Sequence, residues 1–379
     1  MPNPKILIIA SLDQSLINFR GDFITALIKN NFDVLCAAPN LRKEYIEKIE
    51  ALGAKIVEFD LQRTGLNPIK DLKTISQLKK IITNNNIDLV FPYTIKPVVY
   101  GSIAAKKFGV PVVSLITGLG LTFSGVNFKA KALQIVTEIM YRNALSENKM
   151  VIFQNQDDRK LFLDKNITKT NQKTEVVDGS GINLDRFNFR ISEKQVGDII
   201  KFIIVGRLIK EKGVLLFIEA AKRIRTEYPN AEFHLIGRPP ENNPDSLSET
   251  ALLKYHEAGT VVYHGHQSNV VTLLSKADVF VLPSYYREGV PRSILEALSI
   301  GLPIITTNMP GCKETVNNGK NGFLLAPEEL EPLIKAMTFF LENPNEIAKM
   351  GKESRNLAEN KFDVHIINNQ LLTILNQSL

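Results

Sequence analysis

Short apolar runs alternate with segments of helical period along most of this chain, and the alternation restarts once, near residue 200. In the first half the strand-like runs are 5–11, 32–38, 55–60, 88–93, 111–117 and 150–155, with helical stretches such as 17–29, 68–82 and 129–143 between them. In the second half, runs at 201–205, 232–236, 261–264, 278–282 and 303–307 alternate with helices such as 214–227 and 292–300. Continuous apolar runs suit parallel strands covered on both faces, and the β-α alternation predicts doubly wound sheets. The expected architecture is α/β, with two Rossmann-like domains facing a central cleft where strand carboxyl ends present their loops. The boundary is placed at about 190, after the turn-rich Asp178-Gly179-Ser180-Gly181-Ile182-Asn183. This gives domains of 1–190 and 191–361, with a last helix in 362–379 packing back on the first.

A length of 379 residues supports two such domains, and 44% apolar with 23% charged residues fits an ordinary folded chain. No apolar run approaches the ~20 residues that cross a bilayer. The first run meets Asp13 too soon for a signal-peptide core, so it reads as a buried strand. Cys36 and Cys312 stand far apart and suggest two unpaired thiols in a cytoplasmic protein. A formal charge of +6 favours anionic partners such as nucleotide phosphates or anionic lipid. No aromatic-interleaved basic tract points to nucleic acid.

Three loops carry the chemistry. Gly206-Arg207-Leu208-Ile209-Lys210-Glu211-Lys212-Gly213 follows a predicted strand and opens a helix. Arg207 can fork onto phosphate oxygens there, and Lys212 is a point charge beside a helix N-terminus. Glu288-Gly289-Val290-Pro291-Arg292-Ser293-Ile294-Leu295-Glu296 sets two carboxylates across a helix start. Pro291 suits the first turn, Gly301 closes the helix, and the early N–H groups can bind an anion. Carboxylates beside an anion make sense if they accept hydroxyl hydrogens from the parts of a ligand that flank a phosphate. The third loop runs from Pro310-Gly311-Cys312-Lys313-Glu314 to Asn321-Gly322. All three are expected at the carboxyl edge of one sheet.

These segments resemble the retaining GT-B glycosyltransferases of family 4. In the first half Tyr93-Thr94-Ile95-Lys96-Pro97, Tyr100-Gly101 and Ile116-Thr117-Gly118-Leu119-Gly120 resemble a clade of bacterial surface-polysaccharide and polyprenyl-linked glycan transferases, N-acetylgalactosaminyltransferases among them. The resemblance implies a UDP-sugar donor, a lipid-linked glycan acceptor, retention of anomeric configuration and no metal. It implies that Arg207 and Lys212 neutralise the donor diphosphate and that Glu296 accepts the ribose hydroxyls. Glu288 contacts hydroxyls of the transferred sugar, and the backbone of Gly289, Val290, Pro291, Arg292 and Ser293 lies near sugar and phosphate. His266 falls in a segment that contacts the base. Two other readings stand beside this one: a nucleotide-sugar epimerase on the same architecture, and a non-catalytic nucleotide-sugar-binding protein.

The chain departs from the family in its first half. The Gly-Gly pair of the first βα loop is replaced by Asp13-Gln14-Ser15-Leu16. The usual first-domain histidine is absent, since all five histidines follow residue 230. Lys96 either supplies a hydrogen-bond donor in its place, as a catalytic residue, or stands solvated. Gly118, Leu119 and Gly120 either bring backbone to the sugar or acceptor, or form an ordinary turn. No Asp-x-Asp metal motif occurs; Asp157 and Asp158 read as helix caps. His264 and His266 share a strand face without further ligands nearby, so no metal or other cofactor is expected. The segment 128–143 carries Lys129, Lys131 and Arg142 around Leu133, Ile135, Val136, Ile139 and Met140. Arg63, Lys70, Lys73, Lys79 and Lys80 add charge before it. This face either docks on anionic lipid at the inner face of a cell membrane or packs and solvates as an ordinary helix.

Overall fold

A computed structural model describes residues 2–62, 65, 67–123, 128–239 and 247–379, the side chains of 121 and 128–130 aside. The chain divides into two compact units, Met1–Ser180 with Val364–Leu379, and Gly181–Asp363. The division falls some ten residues before the position read from the sequence. Residues after 180 are tied to the second unit by backbone bonds: Ile182 N–H donates to the Phe362 carbonyl at 2.8 Å, and Arg190 N–H to the Ile300 carbonyl at 2.9 Å.

The first unit contains β1 (Lys5–Ile9), α1 (Asp13–Lys29), β2 (Asp33–Ala38), α2 (Lys43–Ala51), β3 (Lys55–Glu58), α3 (Pro68–Asn84), β4 (Leu89–Pro92) and α4 (Ile95–Lys106). It continues with β5 (Val113–Ile116), α5 (Phe128–Leu145), β6 (Met150–Phe153), α6 (Gln156–Asp164) and β7 (Thr174–Val176). Two parallel sheets, β3-β2-β1-β4 and β5-β6-β7, are linked by parallel bridges Val90–Val112 and Tyr93–Leu115. Successive residues of β1 enter opposite cores, as period-two geometry requires. Ile6 and Ile8 join Leu16, Phe23 and Leu27 of α1 on one face. Leu7 and Ile9 join Leu78 of α3, Val98 of α4 and Tyr141 of α5 on the other. Burial on both faces is why these strands read as unbroken apolar runs.

The second unit runs β8 (Ile200–Val205), α7 (Val214–Glu227), β9 (Ala231–Ile236), α8 (Glu249–Glu257), β10 (Val262–Tyr263), α9 (Val271–Leu274) and β11 (Val279–Leu282). Then come α10 (Arg292–Ile300), β12 (Ile304–Thr307), β13 (Gly322–Leu325), α11 (Leu330–Glu342) and α12 (Asn345–Leu357). Its six parallel strands lie in the order β10-β9-β8-β11-β12-β13. The last helix, α13 (Val364–Asn376), returns to the first unit, where Ile367, Leu371 and Leu375 complete the core beneath β1.

Some local expectations shift. Helix α1 begins at Asp13, four residues before the predicted start, because the Asp13 carboxylate is held from outside the helix by Arg42. The cap of α6 is Asn155 rather than the aspartate pair. Its side-chain oxygen accepts from the Asp158 N–H at 2.8 Å, and its amide donates back to the Asp158 carboxylate at 3.1 Å. Both cysteines are unpaired and buried.

Candidate active site

In the second unit the chain steps outward from β8 to β9 and β10, then crosses back to lay down β11, β12 and β13. The order reverses between β8 and β11. In open parallel sheets the crevice at the carboxyl ends of two such strands is where ligands bind. The three motif loops leave β8, β11 and β12, three adjacent strands, so the fold gathers at that edge what the sequence spreads over a hundred residues.

The loops are bonded to one another. Tyr285 N–H donates to the Glu211 carbonyl at 2.8 Å, and the Ser284 hydroxyl donates to the same oxygen at 3.2 Å. The Thr307 hydroxyl, at the end of β12, donates to the Ser284 carbonyl. Two glycines set how closely they approach. Gly213 has φ +74° and a Cβ there would lie 2.2 Å from the Pro283 carbonyl oxygen. Gly311 has φ +85° and its Cβ would lie 1.8 Å from that of Gly289. Only a residue without Cβ fits either place. The sequence alone shows these glycines but not their partners, and it points to Ser284 and Thr307 only as hydroxyls at the ends of apolar strands.

Lys212 and Glu288 meet at the reversal point. The Lys212 ammonium and the Glu288 carboxylate form an ion pair whose side chains are only 10% and 13% exposed. The Ser284 hydroxyl lies 3.5 Å from the same carboxylate. A buried cation already matched by a carboxylate offers a second anion a place only if it shares or exchanges that partner. Arg207 stands at the exposed rim, its guanidinium 5.6 Å from the centre of the Tyr286 ring. Gly289, Val290 and Pro291 are buried, and Arg292 and Ser293 are half-buried at the start of α10.

Glu296 lies one turn into α10. Its carboxylate accepts from Arg292 Nε at 3.2 Å, an i,i+4 pair with both side chains 14% exposed. Burial pushes its pKa up, while Arg292 and the nearby Arg186 pull it back. Arg186 had not been singled out from the sequence. Arg292 also reaches the Gly181 carbonyl at 3.4 Å, tying the helix start to the first residue of the unit.

His266 is exposed in the loop after β10. The shared strand face expected for His264 and His266 does not form. The strand ends at Tyr263 and Gly265 turns the backbone at φ +64°. His264 faces His234 of β9 instead, with Nε2 3.0 Å from His234 Nδ1 and rings stacked at 5.3 Å. Burial pushes both imidazole pKa values down, and Glu232 opposes this at His234. Among the described residues no group of three or more His, Cys, Asp or Glu side chains is placed to hold a metal ion.

The first unit has a reversal point of its own, between β1 and β4. Beyond β1, Asp13 sits in the first turn of α1, where its carboxylate takes Arg42 Nε at 2.9 Å and Nη2 at 2.6 Å. Burial alone would raise the Asp13 pKa, but the bonds from Arg42 and the Gln14 N–H outweigh it and hold the carboxyl below its ordinary value. Beyond β4, Thr94 has φ +68° and leads into α4. Lys96 Nζ donates to Asp71 of α3 at 3.3 Å and stands 5.7 Å from the centre of the Tyr100 ring. Lys96 is thus neither simply solvated nor unpartnered, and Asp71, twenty-five residues away, is its anchor. Gly118 and Gly120 follow β5 with φ +98° and +58°. The Leu119 side chain between them is fully buried in the core, so that loop can offer a ligand its backbone only.

Comparison with known proteins covers both units. Residues 5–155 match the family model described as glycosyl transferase 4-like, and residues 185–357 the one described as glycosyl transferases group 1. The chain is 28% identical over 376 residues to the N,N'-diacetylbacillosaminyl-diphospho-undecaprenol alpha-1,3-N-acetylgalactosaminyltransferase of Campylobacter jejuni, covering 95% of each. It is 29% identical over 310 residues to the UDP-Gal:alpha-D-GlcNAc-diphosphoundecaprenol alpha-1,3-galactosyltransferase of Escherichia coli, covering 79% of this chain and 78% of that protein. Among solved structures, Anabaena HepE in complex with UDP superposes with a TM-score of 0.77 at 20% identity, over 98% of this chain and 100% of that one. Sucrose-phosphate synthase from Thermosynechococcus elongatus gives 0.81 at 17%, over 99% of each. With two Rossmann-like units, each matched by a glycosyltransferase family model, the protein is a GT-B glycosyltransferase similar to those of group 1 and to the family 4-like ones.

Proposed function

We propose that this glycosyltransferase moves a hexose or N-acetylhexosamine from a UDP-sugar to a glycan carried on a polyprenyl diphosphate, with retention of anomeric configuration. The setting is bacterial surface-polysaccharide or glycoprotein-glycan synthesis at the inner face of the cell membrane. The reading rests on the Lys212–Glu288 ion pair at the β8/β11 reversal point, flanked by Arg207 and the start of α10. The donor diphosphate takes Lys212 and Arg207 as counter-charges, together with the helix N-terminus. Positive potential fixed in advance stabilises the leaving phosphate without reorganisation, and this assigns to side chains the task a metal performs elsewhere. Glu288, displaced from part of its bond to Lys212, turns its oxygens to hydroxyls of the transferred sugar. Glu296 accepts the ribose hydroxyls, and His266 lies toward the base.

The bond from the anomeric carbon to the leaving phosphate oxygen breaks as the acceptor oxygen arrives on the same face. The departing phosphate takes the acceptor proton, so no covalent nucleophile is required. Support for UDP comes from HepE, whose structures hold UDP and UDP-glucose. Support for the acceptor comes from the two relatives named above, both described as acting on diphospho-undecaprenol-linked sugars. We assign acceptor binding to the first unit, with Lys96 and the backbone of Gly118 and Gly120 nearest the sugar. A panel of UDP- and GDP-sugars tests the donor: UDP and one UDP-sugar should raise the unfolding temperature and GDP-sugars should not. Protection by GDP-sugars alone would overturn the nucleotide assignment.

A further inference from the structure

Helix α5 carries its apolar residues on the outside. Leu133, Ile135, Val136 and Ile139 are 40%, 58%, 40% and 49% exposed, while Tyr141, Ala144 and Leu145 at its far end are buried in the core. Ile135, Val136 and Ile139, with the exposed Ala132, follow the i, i+3, i+4, i+7 spacing of a single helical stripe, and Leu133 flanks it. In a water-facing helix that stripe belongs against the protein. Helix α3, in the same layer over the sheet, exposes Ile69 (81%) and Leu72 (66%) in its first turn.

The charge around these residues is mostly positive. Lys70, Lys80, Lys131 and Arg142 are exposed. The single carboxylate of each helix is turned inward and neutralised, Asp71 by Lys96 at 3.3 Å and Glu138 by Lys165 at 2.8 Å. Arg142 donates only to the carbonyls of Asn166 and Lys165, so its charge is uncompensated by them. Arg63 and the side chain of Lys129, counted with this cluster in the sequence, lie outside the described residues. The exposed carboxylates nearby among the described residues are themselves paired, Asp60 with Lys73 at 2.6 Å and Glu147 with Lys106 at 2.8 Å. An exposed apolar stripe with surplus cations beside it is complementary to an anionic lipid interface. There the side chains enter the acyl boundary and the cations stay at the headgroups.

We propose that α5, with the first turn of α3, is a membrane-insertion surface that holds the enzyme on anionic bilayers by hydrophobic contact as well as by charge. This rests on the lipid-linked acceptor reading above and adds the residues that reach the lipid. The described helices include none long and apolar enough to cross a membrane, so attachment of this kind is to one leaflet.

The test is flotation of the full chain with phosphatidylcholine vesicles, with and without phosphatidylglycerol, at low and high salt. Wild type should float with the anionic vesicles and keep a measurable fraction bound at high salt. The double variant Ile135→Glu/Ile139→Glu should lose at least about tenfold in vesicle affinity at both salts, with unchanged UDP binding and unfolding temperature. Ile69→Glu/Leu72→Glu should act in the same direction. Equal flotation of the α5 variant and wild type overturns the proposal. So does a concentration-dependent dimer that the variant abolishes without any vesicle binding, since a second copy would then cover the stripe. Parallel assays with a water-soluble acceptor and with a polyprenyl acceptor in vesicles separate the two readings. Reduced flotation with equal transfer to both acceptors leaves the surface standing and removes the lipid-linked acceptor. A strict preference for the lipid acceptor with unaffected flotation does the reverse.

Discussion

The two units share one strand order around a reversal point and fill that point with opposite chemistry. Between β8 and β11 the Lys212 ammonium has a carboxylate partner that comes from the neighbouring loop and is itself suited to sugar hydroxyls, with Arg207 waiting at the rim. Between β1 and β4 the equivalent helix start is occupied by the chain's own Asp13, locked by Arg42, and the next cation, Lys96, is held by Asp71. A helix N-terminus attracts whatever anion is nearest. In the first unit that anion is built in; in the second the reading proposed above gives the place to the donor diphosphate. A shared strand order around the reversal point therefore fixes where a site can be, and the loops decide whether it is used.

The largest effect that would sharpen this contrast is expected at Glu288. Glu288→Gln should lower transfer by at least about a hundredfold, or ~2.7 kcal/mol at the barrier, while UDP affinity holds or improves because Lys212 no longer shares its charge. Steady-state transfer and calorimetric UDP titration read the two separately, and parent-level transfer would remove Glu288 from the chemistry. Arg207→Ala should weaken UDP by roughly 10- to 100-fold through loss of a charge-assisted bond. Unchanged affinity would mean the rim cation only solvates. Gly213→Ala should destabilise the protein by about 1–3 kcal/mol, read as a lower urea midpoint, because it forces a left-handed φ and a clash with the Pro283 carbonyl. The smallest change is expected in the first unit. A carboxyl whose folded pKa lies below its unfolded value stabilises the fold fully above the unfolded pKa, near 3.9. Its contribution fades as pH falls through the folded pKa. Asp13 is of this kind. Asp13→Asn should cost about 1 kcal/mol at neutral pH and flatten the loss of stability below about pH 4. An unaltered acid profile would mean that the Asp13–Arg42 lock contributes nothing net.

The same contrast separates what could be read in the chain from what could not. Strands β8, β11 and β12 and helices α7 and α10 were legible to within a residue or two, because burial on both faces writes an unbroken apolar run and Gly301 marks a stop. Strand β7 left no such mark. It is three residues long at a sheet edge, with its middle residue exposed. The loops that carry Arg207, Lys212, Glu288 and Glu296 were found because each is a local string after a strand. What joins them was not local: Lys212 to Glu288, Asp71 to Lys96, Asp13 to Arg42 and His234 to His264 are pairings across 25 residues or more. Periodicity carries no information about these, since it reports which face a residue occupies and nothing of what waits there. The reading of His264 and His266 as strand neighbours failed for a related reason, because one left-handed glycine ended the alternation it assumed.

The return of α13 has a consequence for how the protein is made. The face of β1 that carries Ile6 and Ile8 leaves the ribosome long before part of its cover, Ile367, Leu371 and Leu375. At ordinary synthesis rates of about 5–20 residues per second the stretch between them takes roughly 20–70 s to emerge. During that interval the second unit, one unbroken segment of chain, has everything it needs to fold, while the first waits half-covered for α13. A nascent chain stalled short of residue 364 would therefore carry a complete second unit and a first unit whose β1 face lacks Ile367, Leu371 and Leu375, an exposed hydrophobic seam of the kind that quality-control machinery recognises.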